Sequence, residues 1–442
     1  MAAHRPSTGT TTFTDLGVHD ALTTLLAQRG ISEPFPIQAA TIPDAIAGRD
    51  LLGRGRTGSG KTLAFLLPLL TQLATSGKHR QRSSPRALIL APTRELASQI
   101  EAEAAPLAKA LSLRTMTVFG GVGHKPQISR LDAGVDLLVA TPGRLEDLIK
   151  GGHARLDAVE ITVLDEADHM ADLGFLPAVK RLLDQTPKAS QRLLFSATLD
   201  GDVNILVRRY MKQPVTHHVD PVESGVADVD HHVLHIASED RLAVLVDLAA
   251  APGRTVVFTR TKHGAKTLAR KLTASGVPAV ELHGNLAQNA RARNLKAFTD
   301  GTAMTLVATD IAARGIHVDD VNLVIHADPP AEHKAYLHRS GRTARAGATG
   351  TVVTLMTHAQ VGDVRDLTRK AGIRPTTTRL APGHPLLAEL APGDREFTQP
   401  PAFATTTSAP NRAPRPRNGN GRPANGRASN RVGRSGRGRR SH

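Results

Sequence analysis

The eight residues Gly55-Arg56-Thr57-Gly58-Ser59-Gly60-Lys61-Thr62 place glycines, a lysine and a hydroxyl at the spacing G-x-x-x-x-G-K-[ST] that cradles phosphate. Glycines let the backbone N–H groups of Thr57, Gly58, Ser59 and Gly60 turn toward phosphate oxygens, and a helix opening at Lys61 adds the positive end of its dipole. Lys61 would reach the β and γ groups of a nucleoside triphosphate, and the Thr62 hydroxyl would hold Mg²⁺. About a hundred residues further on, Asp165 directly follows an apolar run, the placement of an aspartate that completes Mg²⁺ binding. Glu166 beside it can position or deprotonate an attacking water, and a divalent ion offsets the repulsion between adjacent carboxylates. A third chemistry-bearing stretch, His338-Arg339-Ser340-Gly341-Arg342-Thr343-Ala344-Arg345-Ala346-Gly347, is basic. Arginines brought to the triphosphate by another domain would stabilise charge on the transferring phosphoryl group only when the domains close.

These groups need a scaffold. Short apolar runs at Leu51-Leu52, Ala87–Leu90, Met116–Val118, Leu137–Val139, Ile161–Leu164 and Leu193–Phe195 alternate with helical patterns, which predicts an α/β domain with a parallel sheet and crossover helices. In such sheets ligands bind off the carboxyl ends of the strands. The polar residues there are therefore site candidates: Pro92, Thr93 and Arg94; Gly120 and Gly121; Thr141, Pro142, Gly143 and Arg144; Asp165, Glu166 and Asp168; Ser196 and Thr198. A second alternation, Thr255–Phe258, Ala279–Leu282, Met304–Ala308, Leu323–Ile325 and Thr351–Leu355, predicts another α/β domain without a phosphate loop. Its strand ends carry Arg260, His283 and Gly284, Thr309 and Asp310, and Arg314.

The expected organisation is a flexible start (1–12), a first α/β domain (13–210), a linker (211–232), a second α/β domain (233–372), a Pro/Thr-rich extension (373–410) and a basic tail (411–442). His217-His218 and His231-His232 lie in or beside the linker, but no spacing matches a metal-ligand set and cysteine is absent. Within 411–442 stand ten arginines and no acidic residue, so of the formal charge of +16 only +6 belongs to the rest. That tail has no apolar face and is expected to stay disordered and to act as a tethered anchor on a polyanion. With aromatics at 3% and no Trp, nucleic acid would be held mainly by its backbone. No stretch reaches the length of a membrane span and no apolar run follows the polar start, so a cytoplasmic protein without a secretory signal is expected.

Taken together, the motifs from Phe13 to about Lys370 resemble those of the DEAD-box ATP-dependent RNA helicases, in order. Asp165-Glu166-Ala167-Asp168 is the tetrapeptide that names the family, and Gly30 to Gln38 resembles its Q motif. The resemblance implies that Gln38 reads the adenine edge and Phe13 stacks on the ring. It implies that Pro92, Thr93, Arg94, Gly120, Gly121, Thr141, Pro142, Gly143 and Arg144 grip RNA from the first domain, and Arg260, His283, Gly284 and Thr309 from the second. Gln288 with Arg291 falls among the same contacts and coupling residues. Asp168, Ser196, Thr198 and His338 would couple hydrolysis to strand separation, Arg342 and Arg345 would be arginine fingers, and Asp310, Arg314 and His317 would lie at the nucleotide. Ile31, Gly55 and Ala344 are small departures from the family pattern. His317 is a larger one, standing where an Asp usually bonds the ribose, and it predicts altered ATP affinity with pH sensitivity between about 5.5 and 7.5.

The resemblance implies two tandem RecA-like domains and an RNA-stimulated ATPase that uses ATP and Mg²⁺ to close these two RecA-like lobes over RNA, largely without regard to sequence, and so unwinds short duplexes or remodels RNA–protein complexes. It is expected to work as a monomer, with ribosomal or RNA-decay complexes as candidate partners. The competing readings are an ATP-gated RNA clamp or annealing protein with weak turnover, and a DNA helicase or translocase of a related two-lobed class.

Overall fold

The computed structural model describes residues 11–55, 58–196, 198–199, 201–218, 229–313, 320–344 and 349–398. The first seven strands are β1 (Leu51–Arg54), β2 (Ala87–Leu90), β3 (Thr115–Val118), β4 (Leu137–Ala140), β5 (Ile161–Leu164), β6 (Gln191–Ser196) and β7 (Val215–His218). They form one sheet in the order β3-β4-β2-β5-β6-β1-β7, and every pairing is parallel. The second seven are β8 (Val229–His235), β9 (Arg254–Phe258), β10 (Ala279–Leu282), β11 (Thr305–Ala308), β12 (Val321–His326), β13 (Gly350–Met356) and β14 (Thr376–Arg379). Their order is β10-β11-β9-β12-β13-β8-β14, again parallel throughout. Two lobes of the expected α/β class result.

Leucine-rich and β-branched runs make the central strands because helices cover both sheet faces, which leaves no position along β2, β4 or β5 for a polar side. Alternate residues divide between two cores. Ile89, Val139 and Val163 pack with Phe65 and Ile100 on one face, while Leu88, Leu138 and Leu164 pack with Leu145 and Met170 on the other. The second lobe repeats this division, with Val257, Val307 and Ile325 opposed to Val256, Leu306 and Val324.

Three strands fall outside the expected boundaries. The linker expected over 211–232 contains all of β7 and the start of β8, and residues 219–228 lie outside the described residues. β14 lies beyond 372 and pairs with β8, placing Thr376 opposite His232. β7 and β14 escaped notice because they are edge strands with polar sequences, Val-Thr-His-His and Thr-Thr-Thr-Arg, rather than apolar runs. The chain as far as 398 also belongs to the second lobe. Leu387 and Leu390 of a short helix enter its core, Arg395 pairs with Asp247 at 2.7 Å, and Thr398 N donates to Gly276 O.

One member of each histidine pair bonds within the fold: His217 Nε2 is 2.6 Å from Asp44 Oδ2, and His231 Nδ1 is 3.1 Å from the Tyr336 hydroxyl. Among the described residues no cluster of three His, Cys, Asp or Glu side chains is arranged to hold a metal ion. Nor is any described helix long and apolar enough to cross a membrane.

Candidate functional site

The phosphate loop runs from the end of β1 into the helix Lys61–Thr75. Gly58 and Gly60 have φ of 86° and 87°, left-handed values that favour glycine. A Cβ on Gly60 would also stand 2.5 Å from the Phe35 ring and 2.6 Å from Gln38 Nε2, so the loop is closely packed from the side of the Q-like segment. Lys61 Nζ donates to Gly55 O at 2.6 Å. Ser59 Oγ is buried with no hydrogen-bond partner among the described residues, a polar atom left for a ligand. Arg56 and Thr57 lie outside the described residues.

The carboxylates stand at the end of β5, next to β6 and one strand from β1. Asp165 is 3% exposed; burial first, then the charge of Glu166, pushes its carboxyl up to about 7 against the pull of Lys61. A cation at Asp165 would reverse that shift, so this carboxylate and the Thr62 hydroxyl are a donor set that suits Mg²⁺. Glu166 is a non-glycine residue in the left-handed region, with φ 49° and ψ 52°. Burial pushes its carboxyl up, but a hydrogen bond from His169 together with the charges of His169, Arg342 and Lys61 brings it down to about 2. Glu166 Oε2 lies 3.0 Å from His169 Nδ1.

Asp168 joins these carboxylates to the end of β6. Its Oδ2 accepts from Thr198 N and Thr198 Oγ1, both at 2.9 Å, and its backbone N donates to Ser196 Oγ at 3.3 Å. Ser196 Oγ in turn donates to Thr198 O at 2.7 Å. Ala197, between them, lies outside the described residues.

Two residues expected at the base are placed differently. Phe13 is 3% exposed and packed in the first-lobe core, so it offers no face for stacking. The exposed ring beside the loop is Phe35, at 57%, which occupies the N-cap of the helix Pro36–Ile46. Gln38 uses both ends of its amide within the protein, Nε2 donating to Gly60 O at 3.0 Å and Oε1 accepting from Phe35 N at 2.9 Å.

The polar strand ends of both lobes meet in a groove. Pro92, Thr93, Arg94, Gly120, Thr141, Gly143 and Arg144 line a cavity of about 350 Å³ together with Gly284, Arg291 and Ile311 of the second lobe. The lobes are joined directly here: Arg291 Nε donates to Glu95 Oε1 at 2.7 Å, and Arg94 donates to Gln288 Oε1 at 3.3 Å. Gly121, at φ 82°, lies under the Arg94 guanidinium with no room for a Cβ. Pro142 opens the helix Pro142–Lys150 from beneath this rim. His283 accepts at Nδ1 from Asn285 N and pairs through Nε2 with Glu281. Arg260 is held by its backbone N to Asp328 Oδ2 at 2.8 Å, and Thr309, largely buried, directly follows β11.

On the nucleotide side of the second lobe, Asp310 gives both carboxylate oxygens to Arg339, at 2.5 and 2.8 Å. Arg339, buried over the Phe258 ring, thus takes up the group expected at the nucleotide and makes it an anchor for the basic run. His338 and Arg342 line the adjoining crevice, and the Arg342 charge is felt across the cleft at Glu166. Arg314, His317 and Arg345 lie outside the described residues. Glu95, Arg339 and Phe35 stand inside stretches that the sequence singles out but receive no role of their own there; His169 was missed, although it had a local signal, three residues from Glu166 on one turn of helix.

Comparison with known proteins agrees with this arrangement. Residues 35–206 match the DEAD/DEAH box helicase family, and residues 239–347 match the helicase conserved C-terminal domain. The chain is 42% identical over 367 residues to the chloroplastic DEAD-box ATP-dependent RNA helicase 3A of Zea mays; that match takes in 81% of this chain but spans only about half, 49%, of the maize protein. It is 40% identical over 346 residues to the ATP-dependent RNA helicase RhlB of Pasteurella multocida, covering 77% of this chain and 82% of that one. Among solved structures, S. cerevisiae Dbp5 bound to RNA and ADP BeF3 superposes with a TM-score of 0.74 at 28% identity, over 83% of this chain and 95% of the yeast chain.

Proposed function

The chain belongs to the DEAD-box family of ATP-dependent RNA helicases, and from that membership we propose that it is an RNA-stimulated ATPase whose lobes close over ATP and RNA to separate short duplexes or remodel RNA–protein complexes. One observation carries the coupling: Arg291 and Glu95, from different lobes, are paired at 2.7 Å with side chains 8% and 6% exposed. The same closed arrangement lays the Arg342 charge on Glu166, so gripping RNA and completing the hydrolytic site are one conformational step.

In this reading the glycine-rich loop wraps the triphosphate, and Lys61 with Arg342 offsets charge on the γ-phosphoryl group. Glu166 orients the attacking water. Thr62 and Asp165 would hold Mg²⁺, which when bound would supply Lewis-acid polarisation of phosphate oxygens. Asp168 transmits a change at its neighbour to Ser196 and Thr198 through their hydrogen bonds. Arg94, Arg144 and the backbone of Gly120, Gly121 and Gly143 hold RNA phosphates, which gives grip without sequence preference; discrimination against DNA falls to contacts with the 2′-OH.

Steady-state ATP hydrolysis with and without structured RNA, with Glu166→Gln as blank, tests the reading. Strong stimulation by RNA that disappears in the variant supports it. ATP-dependent RNA binding with turnover no higher than the blank's replaces it with a nucleotide-gated RNA clamp.

A further inference from the structure

His169 directly follows the tetrapeptide Asp165–Asp168, in the first turn of the helix Ala167–Asp172. Three residues from Glu166, it lies on the same side of that turn, and its Nδ1 stands 3.0 Å from Glu166 Oε2. The ring is 4% exposed, and Nε2 is buried with no hydrogen-bond partner among the described residues. An ionised carboxylate only accepts, so the proton in this contact belongs to Nδ1. The contact therefore requires a proton on Nδ1. Glu166 needs such a contact, because its left-handed backbone is sparsely populated for a non-glycine residue and persists only where its surroundings hold it.

We propose that His169 is a positioning residue for ATP hydrolysis: by donating Nδ1–H to Oε2 it fixes the Glu166 carboxylate so that Oε1 faces the attacking water. The inference rests on the ATPase reading above.

The test compares His169→Ala, His169→Asn and His169→Gln. The Asn amide nitrogen sits at about the reach of Nδ1 and the Gln one at that of Nε2, so only Asn replaces the donor. Three quantities are read: kcat and KM for RNA-stimulated hydrolysis, the Kd of a fluorescent ADP, and the melting temperature. Misplacing the carboxylate lowers kcat about a hundredfold in the Ala variant, with KM and the ADP Kd within about twofold of wild type. Asn recovers at least about tenfold of that loss, and Gln stays near Ala. Carbon-13 histidine NMR supplies a readout independent of turnover: the resonance missing from His169→Asn should report a protonated Nδ1 in the wild type.

Wild-type kcat in the Ala variant, equal behaviour of Asn and Gln, or an Nε2–H tautomer overturns the inference. If Ala does not fold, the contrast between Asn and Gln decides alone. A wild type with no turnover above Glu166→Gln overturns the ATPase reading instead, and the tautomer then decides the His169 contact by itself.

Discussion

Removing Arg291 should uncouple the lobes while leaving each intact. Its Nε donates to Glu95 Oε1 at 2.7 Å and its NH1 to His283 O at 3.0 Å, and both members of the ion pair are more than nine-tenths buried. In Arg291→Ala the nearest remaining donor to Glu95 Oε1 from the second lobe is Gln288 Nε2, at 3.5 Å, too long to replace a charged bond. Breaking a buried pair by deleting one partner costs about 3–5 kcal/mol. With the lobes apart both groups meet water, so the cost falls on closure alone. At about 1.4 kcal/mol per factor of ten, even the lower figure reduces the closed population about a hundredfold at fixed ligand. Energy transfer between dyes on the two lobes, titrated with single-stranded RNA at a saturating non-hydrolysable ATP analogue, reads this directly. The RNA midpoint should rise by about that factor, while ADP binding and the melting temperature stay put. Glu95→Ala should behave alike, and Glu95→Leu with Arg291→Met should recover much of the loss, because a matched apolar pair leaves no charge stranded. An unchanged midpoint in Arg291→Ala, or a double variant whose cost equals the sum of the single ones, refutes the reasoning.

His326 is buried, hydrogen-bonded through Nδ1 to Thr354 Oγ1 at 3.0 Å, and held well below its ordinary pKa of 6.5 by burial, then by the charges of Arg339 and His231. Below about 6.5 the unfolded chain binds a proton that the folded chain refuses, so stability should fall with pH by up to about 1.4 kcal/mol per unit; urea midpoints between about pH 7.5 and 5.5 check it, and an equal slope in His326→Asn would contradict it. Phe13→Ala should cost about 3–5 kcal/mol of stability with little change in ADP affinity, whereas Phe35→Ala should leave the melting temperature alone and weaken ADP binding by about 1–3 kcal/mol if the exposed ring carries the base; the reverse pattern in calorimetry would return the stacking role to Phe13. Deleting 411–442, which lie outside the described residues, should flatten the salt dependence of RNA affinity by about 0.7 in log–log slope for each phosphate that the tail engages, and spare turnover at saturating RNA. Identical slopes with and without the tail remove its role as an anchor.

What the sequence made legible follows from where each signal is stored. The central strands are continuous apolar runs because both sheet faces are covered, so Ala87–Leu90 or Ile161–Leu164 could be placed by composition alone. The phosphate loop and the carboxylates at the end of β5 are local as well: their chemistry needs particular residues at fixed spacing, and the strand-end rule supplies their location. The edge strands β3 and β10 keep apolar residues and were placed, whereas the edge strands β7 and β14 are polar and carry no such signature, which is why they were read as linker and extension. Nor do partners across the cleft. Glu95 and Arg291 stand 196 residues apart, and nothing in either stretch names the other. Asp310 was recognisable as a charged strand-end residue, but whether it met a nucleotide or Arg339 depended on the packing of Arg339 over Phe258. Phe13 failed for a related reason, since an aromatic residue at the right distance says nothing about which face of its ring remains open.

The two adjacent carboxylates show how one dry site divides the work. Asp165 is driven up to about 7 by burial and by its neighbour, while Glu166 is held at about 2 by His169 and by cations from both lobes. Such divergence separates roles. Asp165 is the carboxylate that gains most from a divalent ion, because the ion removes the penalty that burial imposes on its charge. Glu166 stays ionised, yet a base held so far below neutrality takes up a proton poorly. In the proposed ATPase, orienting the water, rather than abstracting its proton at the outset, would then be the task left to Glu166. Phosphoryl transfer tolerates this, since its transition state is loose and asks more for alignment and charge stabilisation than for an activated nucleophile. On the proposed reading the groups that depress Glu166 would improve what it does: His169 would fix its direction, and Arg342, whose charge reaches Glu166 from the other lobe, would add positive charge beside the phosphoryl group.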